Sequence, residues 1–176
     1  MMSCTSQPAP IPESHSLGRF FRSSTESAFD AVGVRDGEII DYVWKMLLRF
    51  VHVDQLFRKS CKTGGRMEHV MDFLTEAQGM ENTSMRELKK QMGDVCLFFT
   101  GLYPENLEYR KKNPQFYVSQ GKAAYYHVAE IDALRPSARF FRKLTDRFEE
   151  CVMALHVERE FMHDSVYQYI GRQFGV

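Results

Sequence analysis

The residues Glu160-Phe161-Met162-His163 place a carboxylate and an imidazole on one face of a helix, the ExxH spacing that carboxylate-bridged di-iron bundles use. Such a centre also needs a second ExxH and two more glutamates from facing helices, and the chain contains no second ExxH. Glu68-His69 with Asp72, and His52 with Asp54, could each offer two ligands, short of the three or four that a closed zinc site requires. No metal site and no cofactor are therefore expected. No nucleotide-binding glycine loop or nucleophile motif is present either, so the expected function is not catalytic.

Polar residues at apolar positions are more informative. On a wheel of about 100° per residue, Asp54 projects with Leu47 and Val51. Arg159 falls on the stripe of Phe141, Phe148, Val152 and Leu155, and Asp94 lies at the margin of the most apolar helix. A buried acid must be paired, hydrogen-bonded or protonated, because an isolated buried charge is costly. An Asp–Arg ion pair between helices is the economical expectation. Two alternatives stand beside it. These residues could form the polar floor of a ligand pocket between helices, lined by Asp94, Tyr117 and Tyr125, or Asp54 and Arg159 could sit near helix ends and reach water.

Arg135, Arg139, Arg142, Lys143 and Arg147 form a basic run, followed by Glu149, Glu150, Glu158 and Glu160. Charges opposite an apolar stripe normally make a solvated face. A helix that is basic and then acidic would also suit antiparallel pairing with a symmetry mate, which makes Arg139, Arg142, Lys143 and Arg147 the candidate interface.

The elements that must position these groups read as helices. The first is expected from an N-cap at Asp36 to about Lys59, with Ile40, Val43, Trp44, Leu47 and Val51 on one face. A short helix over Met67 to Gln78 follows. Ser84 with Glu87 has the capping-box pattern and marks the start of the next, which ends at Gly101 ahead of Pro104. Its second half, Val95-Cys96-Leu97-Phe98-Phe99, is apolar all round and belongs at the centre of the fold. A fourth helix covers Phe116 to Asp132. A long last one starts at Ser137, with a break expected between His156 and Asp164. Gly93 and Gly121 stand inside helices, where glycine costs roughly 1 kcal/mol relative to alanine, so each should lie under a bulky neighbour. The expected fold class is all-α, with five to six helices in an orthogonal or bundle-like packing. Residues 1–33 are rich in Ser, Thr and Pro and are expected to be a flexible tail before a single domain over 34–176, unless Phe20 and Phe21 dock.

The wording Gly93-Asp94, Leu97-Phe98, Gly101, Pro104-Glu105 has the form GD-x2-LF-x2-G-x2-PE. Together with Tyr117-Val118, Gly121-Lys122, Tyr125, Phe140 to Leu144 and Arg147-Phe148, and with Tyr42-Val43 and Asp54 to Phe57, it resembles an uncharacterised family of bacterial all-helical proteins. The resemblance covers roughly residues 38 to 160. It implies a helical fold and no particular chemistry.

Composition narrows the function class. Lys plus Arg and Asp plus Glu are each 23, so the formal charge is zero, which argues against a general nucleic-acid or membrane-surface binder. No apolar run approaches the roughly 18 residues of a membrane span, and the start lacks the pattern of a secretory signal. The four cysteines have no CxxC pair and are read as reduced, in keeping with a cytoplasmic protein. Ten methionines and fourteen phenylalanines, with no recognisable chemistry, fit a non-enzymatic helical protein that forms homo-oligomers. The alternative is a small-molecule- or cofactor-binding helical protein, an enzyme included, with a pocket between helices.

Overall fold

The computed structural model describes residues 9–57, 59–162 and 164–173. It is helical throughout, with ten helices and no strand among the described residues. In chain order these are α1 (Ser16–Ala31), α2 (Gly37–Phe50), α3 (Val53–Leu56), α4 (Val70–Glu76), α5 (Asn82–Leu102), α6 (Pro104–Tyr109), α7 (Pro114–Ile131), α8 (Ser137–Asp146), α9 (Phe148–Phe161) and α10 (Asp164–Arg172). The all-α class holds, and five to six helices was an undercount.

The extra helices arise where longer ones were expected to continue. The helix from Asp36 stops at Phe50, and α3 forms separately after Val51 and His52. Asp36 is its N-cap as expected, accepting from the amides of Glu38 and Ile39 at 3.1 and 3.2 Å. The last long helix breaks at Arg147 into α8 and α9, where neither glycine nor proline stands, and again before Asp164. Helix α5 begins at Asn82 after Glu81, one turn before Ser84, so Ser84 and Glu87 lie inside the helix and form no capping box.

Within residues 1–33, expected as a flexible tail unless Phe20 and Phe21 dock, Ser16–Ala31 forms a sixteen-residue helix and Phe21 is docked in the core. Phe21, Ala28 and Phe29 are fully buried, and with Ser24 and Thr25 they recur at the i, i+3/i+4, i+7/i+8 spacing of one helical face. Composition is rich in Ser and Thr there, but periodicity decides, and the apolar face outweighs it. The chain packs α1 against both α2 and α9. Residues 1–8 lie outside the described residues.

At the centre, α5 lies against α7 and α9, and its residues from Met92 to Leu102 are all buried. Glycines set the closeness of these helices. A Cβ added at Gly93 would lie 2.5 Å from the Tyr125 ring, and one at Gly121 would lie 2.5 Å from Phe148 and 2.8 Å from Cys96. Gly101 meets Leu155 of α9 in the same way. Each missing side chain admits a large neighbour to the helix backbone. Gly121→Leu is expected to destabilise the fold by about 1–3 kcal/mol through overpacking, read as a lower urea midpoint with unchanged slope. A neutral result would contradict this packing.

Candidate functional site

The polar centre of the molecule is Asp94, which has no exposed surface although it lies in the middle of α5. Four side chains converge on its carboxylate from three helices. The Tyr42 hydroxyl of α2 donates to Oδ1, and the Tyr125 hydroxyl of α7 donates to the same oxygen at 2.7 Å. Arg49 of α2 donates from Nη2 to Oδ2 at 2.7 Å, and Lys90, one turn back on α5, donates from Nζ at 3.1 Å. Both oxygens are thus filled, one by phenols and one by cations.

The sequence explains this meeting. Tyr42 and Arg49 are seven residues apart and share a face of α2, while Gly93 clears the space into which the Tyr125 ring fits. Burial, and next to it the Asp94 charge, push the Tyr42 and Tyr125 hydroxyls well above the ordinary phenol range, so both stay protonated donors. Lys90 also sits 5.2 Å above the Tyr42 ring. Arg49 borders a cleft of about 260 Å³ shared with Pro10, Ile11, Lys45, Leu48 and His52, and its buried Nε has no hydrogen-bond partner among the described residues.

Other acids lock other junctions. Asp132, fully buried where α7 ends, accepts a bidentate pair from Arg86 of α5, with Nε at 2.7 Å and Nη2 at 2.6 Å, and the Ser137 hydroxyl of α8 at 2.7 Å. Arg86 holds its carboxyl below the usual carboxylate range. Glu76, also buried, accepts from the Ser60 hydroxyl and from the Cys61 amide at 2.8 Å, pinning the loop before α4. Glu105 of α6 joins Arg159 of α9, at 3.0 and 3.2 Å, to the Tyr167 hydroxyl of α10 at 2.6 Å.

Of the residues expected to form a polar cluster or pocket, Asp94 and Tyr125 meet directly, and the others do not join them. Asp54 is 53% exposed and pairs with Arg66 at 3.1 Å, because α2 ends before it and α3 turns it outward. Arg159 pairs with Glu105 instead of an aspartate. Tyr117 is buried on α7 but takes no part in the Asp94 network. The arginine of the buried Asp–Arg pair is Arg49, which on a wheel of α2 falls with Lys45 opposite the apolar face. Its long side chain reaches back across the helix edge, a reach a wheel does not represent.

In the basic run, Lys143 binds Asp36 at 2.8 Å and also Glu38, joining α8 to the start of α2. Arg142 pairs with Glu130 at 3.1 Å, and Arg147 with Glu150 at 3.6 Å. Arg139 is exposed and has no ion pair among the described residues. No group of three or more His, Cys, Asp or Glu arranged to hold a metal occurs among the described residues. His163, the second half of the ExxH spacing, lies outside them. Cys61, Cys96 and Cys151 are free thiols, and burial pushes the Cys151 thiol up to about 12.

Compared with protein-family models, curated proteins and solved structures, this chain matches none. Its site must be read from its own geometry.

That geometry is a saturated network. Asp94 has four donors and no approach from solvent, an arrangement that positions helices and leaves no free lone pair for a substrate. Asp94→Ala is expected to cost about 2–3 kcal/mol in chemical denaturation, below the 3–5 kcal/mol of a fully buried pair, because Arg49 and Lys90 can turn to water. Tyr125→Phe removes one hydrogen bond and should cost about 1 kcal/mol. Equal losses for both would contradict the central place of the carboxylate.

Proposed function

We propose that this protein is a non-enzymatic helical interaction protein that self-associates through the outer face of α9. The observation that carries this reading is an apolar ridge. Met153 and Phe161 are 57% and 47% exposed, half-buried Val157 lies between them, and the three follow an i, i+4, i+8 spacing along one edge of the helix. Isolated exposed apolar residues are ordinary, but a continuous ridge is the kind of surface that buries itself against a partner. Glu149, Glu150 and Glu160 flank it and would form a polar rim. A second copy of the chain is the simplest partner, since a two-fold pairing would lay one ridge along the other.

The pairing proposed here differs from one driven by the basic run, whose charges are largely neutralised within the chain. In the same reading the chain is a cytoplasmic protein of a bacterial all-helical family, and GD-x2-LF-x2-G-x2-PE is a packing signature. Its Gly93 and Gly101 lie under Tyr125 and Leu155, its Asp94 ties three helices, and its Glu105 holds Arg159. No helix among the described residues is long and apolar enough to cross a membrane.

Light scattering at micromolar concentration should give a mass above the 20.6 kDa of one chain. Met153→Glu with Phe161→Glu should return it to that value while leaving helix content unchanged by circular dichroism. A monomer mass for the unaltered chain up to about 100 μM, where a weak pair of micromolar affinity would be populated, overturns the proposal.

A further inference from the structure

Among the described residues, every other fully buried acid has a cation or a backbone amide within reach. Glu158 does not. It sits on the inner face of α9 with no exposed surface, and among the described residues its only side-chain partners are two hydroxyls of α1. Ser24 Oγ donates to Oε1 at 2.7 Å and Thr25 Oγ1 donates to the same oxygen at 2.8 Å. Oε2 is buried with no hydrogen-bond partner among the described residues.

Among the described residues, the packed elements supply no neutralising charge. On α1, Arg22 pairs with Glu26, Asp30 pairs with Arg35, and Arg19 is exposed. Helix α5 carries no charged residue from Val95 to Leu102, and its Cys96 thiol stays neutral because burial raises its pKa. From α6, Glu105 is occupied by Arg159, and Tyr167 of α10 donates to that same Glu105. From α7, Lys122 binds Glu149. On α9 itself, His156 contacts the Thr100 carbonyl through Nε2 at 2.9 Å, and Glu150 faces Arg147, which precedes the helix.

The hydroxyls can serve either protonation state. Ser24 Oγ also lies 3.2 Å from the Phe21 carbonyl. When Glu158 is charged, Ser24 donates to Oε1. When Oε1 carries the proton, it donates to Ser24 Oγ, and the Ser24 hydroxyl turns to donate to the Phe21 carbonyl. The neutral form leaves Oε2 as an unpartnered carbonyl oxygen, and the charged form leaves it as part of an unpartnered anion, which costs far more.

We infer that Glu158 is a proton-operated clasp, which holds α1 against α9 when neutral and loosens that docking when ionised. Burial raises its pKa from 4.5 to about 7, opposed only by the two hydroxyl hydrogen bonds. Because the docked-state pKa lies above that of the released, solvated side chain, the stabilisation of docking is complete below about pH 4.5. It is lost progressively as pH rises through about 7. Release would uncover Phe21, Ala28 and Phe29 and the apolar surface beneath them. The clasp is independent of self-association, since it concerns the inner face of α9.

Hydrogen exchange of the α1 amides in the full chain, corrected for the intrinsic pH dependence of exchange, tests it. Between pH 5 and pH 8 the ratio of docked to released α1 should fall on the order of a hundredfold. Amides in the middle of α5 serve as the internal reference. Glu158→Gln should abolish the pH dependence and leave α1 better protected than wild type at pH 8. Thr25→Val removes one donor that favours the charged form, so protection should drop further at pH 8 than at pH 5. If α1 protection in the wild type is the same at both pH values, or if Glu158→Gln keeps the wild-type slope, the clasp is refuted.

Discussion

A single carboxylate, that of Asp94, organises the centre of this fold. Carrying a charge into a helix greasy on every side is tolerable only if its oxygens are filled, and filling them requires three helices at once. Tyr42 and Arg49 fix the rotation of α2, Lys90 and Asp94 fix that of α5, and Tyr125 fixes that of α7. Apolar contacts alone would tolerate small slips along these helices. A hydrogen-bonded charge does not, because a shift of one residue would move donors away from the carboxylate. Gly93 belongs to the same device, since any side chain there would hold the Tyr125 ring off.

From that centre outward, each junction repeats the solution with different groups. Asp132 ties the end of α7 to α5 and α8, Glu76 ties the loop before α4, and Glu105 ties α6 to α9 and α10. The aromatic residues fill what lies between, Phe98 touching Phe50 edge-on and Tyr103 stacked on Tyr167 with ring centroids 4.7 Å apart. Polar groups therefore specify which helix ends meet, while apolar burial supplies most of the driving force.

What was legible in the sequence follows from the range of the signals. Apolar periodicity marked α2, α5 and α7, the Asp36 cap was readable from its position, and Asp94 stood out as a charge at an apolar margin. The partner of Asp94 was not readable. Arg49 lies 45 positions away, and its side chain spans the boundary between faces, so a wheel assigns it to water. Asp54 failed for the opposite reason. The wheel continued α2 through Val51 and His52, where the helix stops, and every face assignment beyond the break became meaningless. For α1, Ser, Thr and Pro content masked a regular apolar face, and nothing local revealed that Ser24 and Thr25 address a glutamate 133 to 134 residues later.

Glu158 and Asp94 show how one residue type serves opposite ends within one fold. Both are buried acids on helices packed at the centre, so both meet the same desolvation cost. At Asp94 that cost is offset by two cations, Arg49 and Lys90, in direct contact with the carboxylate. At Glu158 the only donors among the described residues are neutral hydroxyls, so the cheapest way to lower the cost is to take up a proton. The difference lies in which helix is held. The Asp94 helices form the core, whereas α1 packs onto α2 and α9, and its docking is the contact the proposed clasp would loosen. A titratable contact is tolerable at a separable junction and would be ruinous at the centre, which is why the uncompensated acid lies beneath α1.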